Sequence, residues 1–245
     1  MLPIPVHNNS KYASQTNYWT GGPDSVDNWR ANMQDPKNYQ FFKDQQWDTE
    51  TAITYQFNSH GFRCAEFDDS PVYLSIGCSF TEGVGLPIEQ TWTWKLSELM
   101  GHTVLNLGVG GSSLDTCFRL IDYYIDALNV LGIFILEPPE SRFEIFEFNQ
   151  QPVTLMPRSD LMSDNRKLLY QNWACCEMNS YYNIQKNRLA IQSRCAKIPL
   201  ISLNHSIQWG HSNNKTPARD LQHFGYPTQI YLATEFYNQF ILLDK

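Results

Sequence analysis

From Pro71 onward the chain alternates short apolar runs with longer amphipathic ones. "PVYLSIG" (71–77) reads as a strand. "PIEQTWTWKLSELMG" (87–101) then spaces Trp94, Leu96, Leu99 and Met100 helically, with Pro87 near its start and Gly101 at its end. "TVLNLGV" (103–109) predicts a second strand. Residues 113–128 place Leu114, Cys117, Ile121, Ile125 and Leu128 on one stripe with aspartates opposite, which predicts an amphipathic helix. "VLGIFIL" (130–136) is apolar throughout, the pattern of a strand covered on both faces. A helical stretch from about Asp160 to Ala196 leads to a fourth strand, "IPLISLN" (198–204). The tail from Pro227, with Ile230, Ala233, Tyr237 and Phe240 in register, predicts a closing helix.

Strands separated by helices of this length predict a three-layer α/β/α domain around a mainly parallel, flavodoxin-like sheet. Right-handed crossovers bring every strand's carboxyl end to one rim, where such sheets bind ligands. Ser79, Gly108 to Ser113, Glu137 and Asn204 all follow strand ends and are expected to gather there.

Residues 1–70 lack that rhythm. They mix Tyr, Trp, Asn and Gln, and are expected to form an irregular aromatic-rich extension packed on a main domain of residues 71–245. Within it "AITYQFNSHGFR" alternates Ile53, Tyr55 and Phe57 with polar neighbours and then turns. This predicts a strand and turn that pack on, or extend, the main sheet.

The chain's 245 residues, with 42% hydrophobic and 18% charged, are those of a globular protein rather than a disordered one. A net charge of -7 without basic clusters argues against nucleic acid and anionic membrane partners. The start, "MLPIPVHNNSKYASQ", shows no cationic region followed by an apolar run, so a cytoplasmic or virion-associated place is expected. The six cysteines have no CxxC spacing and are expected to be reduced and mostly buried. No metal site or cofactor is expected.

Ser79 in Gly-Cys-Ser-Phe-Thr ends the first strand amid turn chemistry, as a nucleophile held at a rim would. A serine needs a base, ordinarily a histidine with a pKa near 6.5, and donors for the oxyanion that follows. Of the six histidines, His7 and His60 precede the sheet and His102 begins a strand, while His205 follows the fourth strand. His223 has Asp220 three residues before it, one turn-like step, so a carboxylate can orient the ring. "NLGVGGSS" (106–113) brings glycine backbone to the same rim. The sixth place of a dinucleotide fingerprint counted from Gly108 is Ser113, so that motif is not met. Gly-x-Ser-x-Gly, the elbow of α/β-hydrolases, fails at Thr81.

Ser79 in its motif, Gly111 in Asn-x-Gly-x-x-Gly and Asp220-x-x-His223, in this order over roughly residues 71–240, resemble the SGNH (GDSL-like) hydrolase superfamily. The resemblance implies Ser79 as nucleophile, His223 as general base and then acid, and Asp220 as its orienting acid. It also implies an oxyanion hole from the Ser79 and Gly111 N–H groups. "FNSHGFR" is similar to the lead-in of some SGNH proteins, phage-encoded ones included.

Two departures stand out. Cys78 replaces the usual Asp before the serine, and the third motif's donor Asn is missing from "GIFILEPPESRFE". Loss of one such donor typically costs about 10²–10³ in rate, roughly 2.7–4 kcal/mol. Glu137, Arg142 and Asn204 are candidate site-lining residues in its place. The sequence therefore carries two expectations. The first is an ester hydrolase acting on a small ester or an acetylated glycan. The second is a weakened docking module, for instance of a virion, that meets a partner through its aromatic N-terminal segment.

Overall fold

The computed structural model describes residues 5–157, 162–204 and 216–243. Four parallel strands form the main sheet: β3 (Val72–Gly77), β4 (Val104–Gly108), β5 (Val130–Glu137) and β8 (Leu200–Asn204). They lie side by side in the order β4-β3-β5-β8. The second-first-third-fourth order by sequence is that of flavodoxin-like sheets, whose topological switch point lies beside the first strand. The fold is thus α/β, three-layered and parallel.

Period-2 alternation explains why these strands read as unbroken apolar runs. Val72, Leu74, Ile76, Leu105, Leu107, Ile133 and Ile135 pack on one face against α5 (Leu114–Ala127) and α7 (Glu177–Arg194). Tyr73, Val104, Phe134, Leu136, Ile201 and Leu203 face the other way, onto α4 (Trp92–Met100) and the closing helix α8 (Tyr226–Leu243). Leu114, Cys117 and Ile121 of α5 are buried, as its stripe predicts, and Ile125 and Leu128 are half-buried. Leu120 and Tyr124 join the buried face, and Ser113 caps the helix by accepting from the Thr116 N–H.

Two helical registers differ from expectation. Trp94 and Leu99 are 41% and 44% exposed, while α4 buries Leu96, as expected, together with Trp92. Thr91 caps α4 by accepting from the Trp94 N–H, so the helix starts at Trp92 and that start sets its inner face. Ile230 is likewise outward, because α8 turns Gln229, Leu232, Ala233 and Phe236 inward. Gln229 Oε1 accepts from the Trp92 N–H at 2.8 Å, a polar tie between the two helices. The stretch read as one helix from Asp160 to Ala196 is two, α6 (Asp164–Ala174) and α7, parted at Cys175–Cys176; Asp160 lies outside the described residues. Those two cysteines are exposed, whereas Cys78, Cys117 and Cys195 are buried and Cys64 is half-buried. A hairpin the pattern did not reveal, β6 (Phe143–Phe146) with β7 (Pro152–Leu155), follows β5.

Residues 5–70 are more regular than expected. They contain α1 (Val26–Asn32) and α2 (Pro36–Asp44), capped by Ser25 and Asp35. Each helix buries a single side chain, Trp29 or Phe42, which is too little to print a stripe on the sequence. The strand expected at residues 53–57 shortens to β2 (Tyr55–Gln56), and it pairs with β1 (Thr16–Asn17), not with the main sheet. Ile53, Tyr55 and Phe57 nevertheless share one core with Trp29, Phe42 and Trp47, closed by Leu86 and Ala218 from beyond residue 70.

Candidate active site

β3 runs into α3 (Ser79–Glu82), a single helical turn whose first residue is Ser79. The turn is forced up against β4: a Cβ on Gly108 would lie 2.2 Å from the Glu82 backbone nitrogen. Asn106 locks the junction, donating from Nδ2 to Thr81 O (2.9 Å) and Thr93 Oγ1 (3.2 Å) while its Oδ1 accepts from the Gly108 N–H (2.9 Å). Ser79 is thereby fixed at the sheet's carboxyl rim beside the switch point.

His223 Nε2 lies 2.7 Å from Ser79 Oγ, across 144 residues of sequence. Its Nδ1 is hydrogen-bonded to Asp220 Oδ2. Asp220 Oδ1 accepts from the backbone N–H groups of Gln222 (3.1 Å) and His223 (3.0 Å). Burial opposes the charged form of Asp220, but the His223 ring and these two N–H groups outweigh it and hold the carboxyl below its ordinary range. The Phe80 ring packs on the imidazole at 4.8 Å between centroids. A hydroxyl, an imidazole and a carboxylate therefore stand in series, each buried.

The turn carrying Asp220 and His223 is pinned from the N-terminal part. Arg219, fully buried, donates to both oxygens of Asp24 at 3.0 and 2.8 Å and stacks on Trp19. Tyr55 Oη donates to the same carboxylate and accepts from the Gly85 N–H at 2.7 Å. Arg63, also fully buried, donates to Gly83 O (2.8 Å) and Leu86 O (2.7 Å), bracing the loop after Ser79 from the "FNSHGFR" segment.

A cavity of about 500 Å³ opens over Ser79 and His223. Its walls include Asn8, Asn9, Lys11, Tyr12, Thr20, Gly110, Gly111, Arg142 and Gln222. Gly111 has φ +75°, a conformation that favours glycine, and lies beneath Met156. Asn8 Nδ2 donates to Gly110 O at 3.0 Å, so the N-terminal segment also holds this loop. Glu82, 1% exposed, lines the cavity floor; burial pushes its carboxyl up, against the pull of Asn9, Arg63, Gly110 and His223.

Of the residues singled out from sequence, Ser79, Asp220, His223, Gly111 and Arg142 converge here. Glu137 and Asn204 reach the same rim but do not line the cavity. Glu137 is turned toward Arg188 (2.6 and 3.1 Å) and Ser202 Oγ (2.8 Å), and Asn204 Nδ2 reaches Glu140 at 3.5 Å. Glu137 is thus held by a cation and a hydroxyl, and Asn204 reaches a carboxylate, partners that spacing could not locate. His205 lies outside the described residues. The wall built by Asn8, Asn9 and Tyr12, and the Asp24–Arg219 pair, carried no sequence signal. Among the described residues no group of three or more His, Cys, Asp or Glu side chains could hold a metal ion. No helix there is long and apolar enough to cross a membrane.

No family model matches the chain. No curated protein matches it either. Among solved structures it is similar to a member of the lipolytic protein G-D-S-L family from Veillonella parvula DSM 2008. That match has 13% identity over 69% of this chain and 100% of the other, with a TM-score of 0.37. So remote a likeness carries no argument about activity. The sheet order and the site geometry stand on their own.

Proposed function

We propose that the protein is a serine-dependent ester hydrolase that works through an acyl-enzyme. The observation that supports this most is the 2.7 Å contact between His223 Nε2 and Ser79 Oγ, with Asp220 on the far ring nitrogen. In the first half-reaction Ser79 Oγ adds to the ester carbonyl carbon as its proton passes to His223 Nε2. Asp220 fixes the tautomer and favours the imidazolium. Ser79 is the first residue of its helical turn, so its N–H has no intrahelical acceptor and is free to face the carbonyl oxygen, with that of Gly111. Collapse breaks the carbon–oxygen bond to the alcohol, which leaves with the proton from His223. Water then repeats the sequence, giving its proton to His223 and releasing the acid and Ser79.

The substrate reading is an acetyl ester borne on a carbohydrate. Asn8, Asn9, Tyr12, Thr20 and Gln222 supply amide and hydroxyl groups of the kind that meet sugar hydroxyls, and the volume suits one or two rings. The test is turnover of p-nitrophenyl acetate, then of an acetylated oligosaccharide, by the wild type and Ser79→Ala. Wild-type turnover with an inert variant is expected. A folded, inert wild type would refute the reading.

A second reading, a docking module with weakened activity, is favoured by the third-motif position, where Glu137 offers no donor. A virion-associated role belongs to that reading. Substantial wild-type turnover would count against it.

A further inference from the structure

We propose that Arg142 supplies the third contact to the oxyanion, in place of the missing asparagine; the proposal rests on the hydrolase reading. The strand that should end in that donor ends in Glu137, 7% exposed and held by Arg188 and Ser202. Its charge is neutralised on the far side of the rim and is not what a reacting carbonyl meets.

The chain instead turns over Pro138 to Ser141, closed by the Arg142 N–H on Pro139 O at 3.1 Å, and delivers Arg142 to the cavity. That position is fixed from both sides. Tyr170 Oη donates to Ser141 O at 3.1 Å, and Phe143 stacks on Trp173 with centroids 4.1 Å apart. The Glu144 carboxylate accepts from Arg119 and Thr116 of α5, each at 2.8 Å. Arg142 thus hangs from a braced strand end, which is what a precise donor requires.

Its Nη1 donates to Ser112 O at 3.2 Å, the residue after Gly111, so the guanidinium rests on the loop whose Gly110 and Gly111 line the cavity. Among the described residues no carboxylate pairs with it, in contrast to Arg119 and Arg188. The charged or titratable groups lining the cavity are Lys11, Tyr12, Glu82, Arg142 and His223, and burial favours the neutral form of Glu82. A guanidinium stays charged at all working pH and keeps further N–H donors after giving one to Ser112. In a concave site whose walls replace part of the surrounding water, such a fixed donor is worth more to a developing negative charge than in bulk.

The test uses p-nitrophenyl acetate, a neutral ester, so that Arg142 has no substrate carboxylate to bind. Arg142→Gln should lower kcat about 10²–10³-fold with KM within a few-fold, and Arg142→Lys should lose less. Arg142→Ala should regain part of its rate in millimolar guanidinium chloride, with no gain for the wild type. Unchanged thermal unfolding keeps a folding defect apart from a chemical one. An active wild type with an equally active Arg142→Gln overturns this proposal alone. So does a defect seen only with esters that carry a carboxylate, which would make Arg142 a substrate-reading residue. A wild type that neither turns over nor takes up a fluorophosphonate overturns the hydrolase reading itself.

Discussion

The pair between Asp24 and Arg219 joins the N-terminal part to the turn that carries Asp220 and His223, and it invites a quantitative test. Their side chains are 1% and 0% exposed. Asp24→Asn keeps the shape and removes the charge, leaving the guanidinium buried against Trp19 and Tyr18 O without its counter-ion. Breaking a buried pair from one side costs about 3–5 kcal/mol, because the remaining charge is uncompensated. For a chain of this size each kcal/mol moves the midpoint by about 2–4 °C, so Tm should fall by roughly 6–20 °C. The exposed pair Arg30–Glu50, with side chains 58% and 47% exposed, is the control; Glu50→Gln should shift Tm by less than about 4 °C. Asp24→Asn/Arg219→Met removes both charges and should be less destabilised than either single variant, the sign of a coupled pair. Scanning calorimetry reads all of these. A Tm for Asp24→Asn within about 2 °C of wild type would refute the reasoning, since it would mean that the pair is solvated or absent.

Other consequences are read by kinetics and unfolding. Asp220→Asn should lower kcat about 10⁴-fold with KM little changed, because the ring loses its required tautomer. His223→Ala removes the proposed general base and should lower kcat/KM for p-nitrophenyl acetate at least about 10³-fold, read by the same esterase assay. Gly108→Ala drives a methyl group into the Glu82 backbone and should cost both stability and activity, read by urea midpoint and esterase rate. Burial lowers His7 from 6.5 to about 4, so between those values the unfolded chain binds more protons than the folded one. The stability is fully present above pH 6.5 and is lost as pH falls toward 4, about 3 kcal/mol in all. Urea titrations of wild type and His7→Gln across that window should show the slope flattened in the variant.

The main sheet was legible because fully buried strands leave unbroken apolar runs, and because Ser113 and Gly101 mark where helices start and stop. Local periodicity could not fix which helix face turns inward. In α4 the Thr91 cap sets the start and leaves Trp94 outside, and in α8 the inward face is the one that carries Gln229, Leu232 and Phe236, not Ile230. The N-terminal helices were hidden because each buries one aromatic side chain. Ser79, Asp220 and His223 could be found because strand ends converge and an acid three residues from a histidine implies a turn. Glu137 and Asn204 were misplaced because pairing with Arg188 and Glu140 is a tertiary fact. The cavity wall of Asn8, Asn9 and Tyr12 is tertiary too, made by a segment about 70 residues before the nucleophile.

The whole mechanism asks that Ser79 be the group His223 deprotonates. Incubating the folded protein with a fluorophosphonate and mapping the adduct by peptide mass spectrometry tests this most directly. One adduct is expected on wild type, at Ser79, with none on Ser79→Ala and labelling slowed at least about 10³-fold in His223→Ala. Wild type that stays unlabelled, or carries its adduct on another residue, would contradict the account.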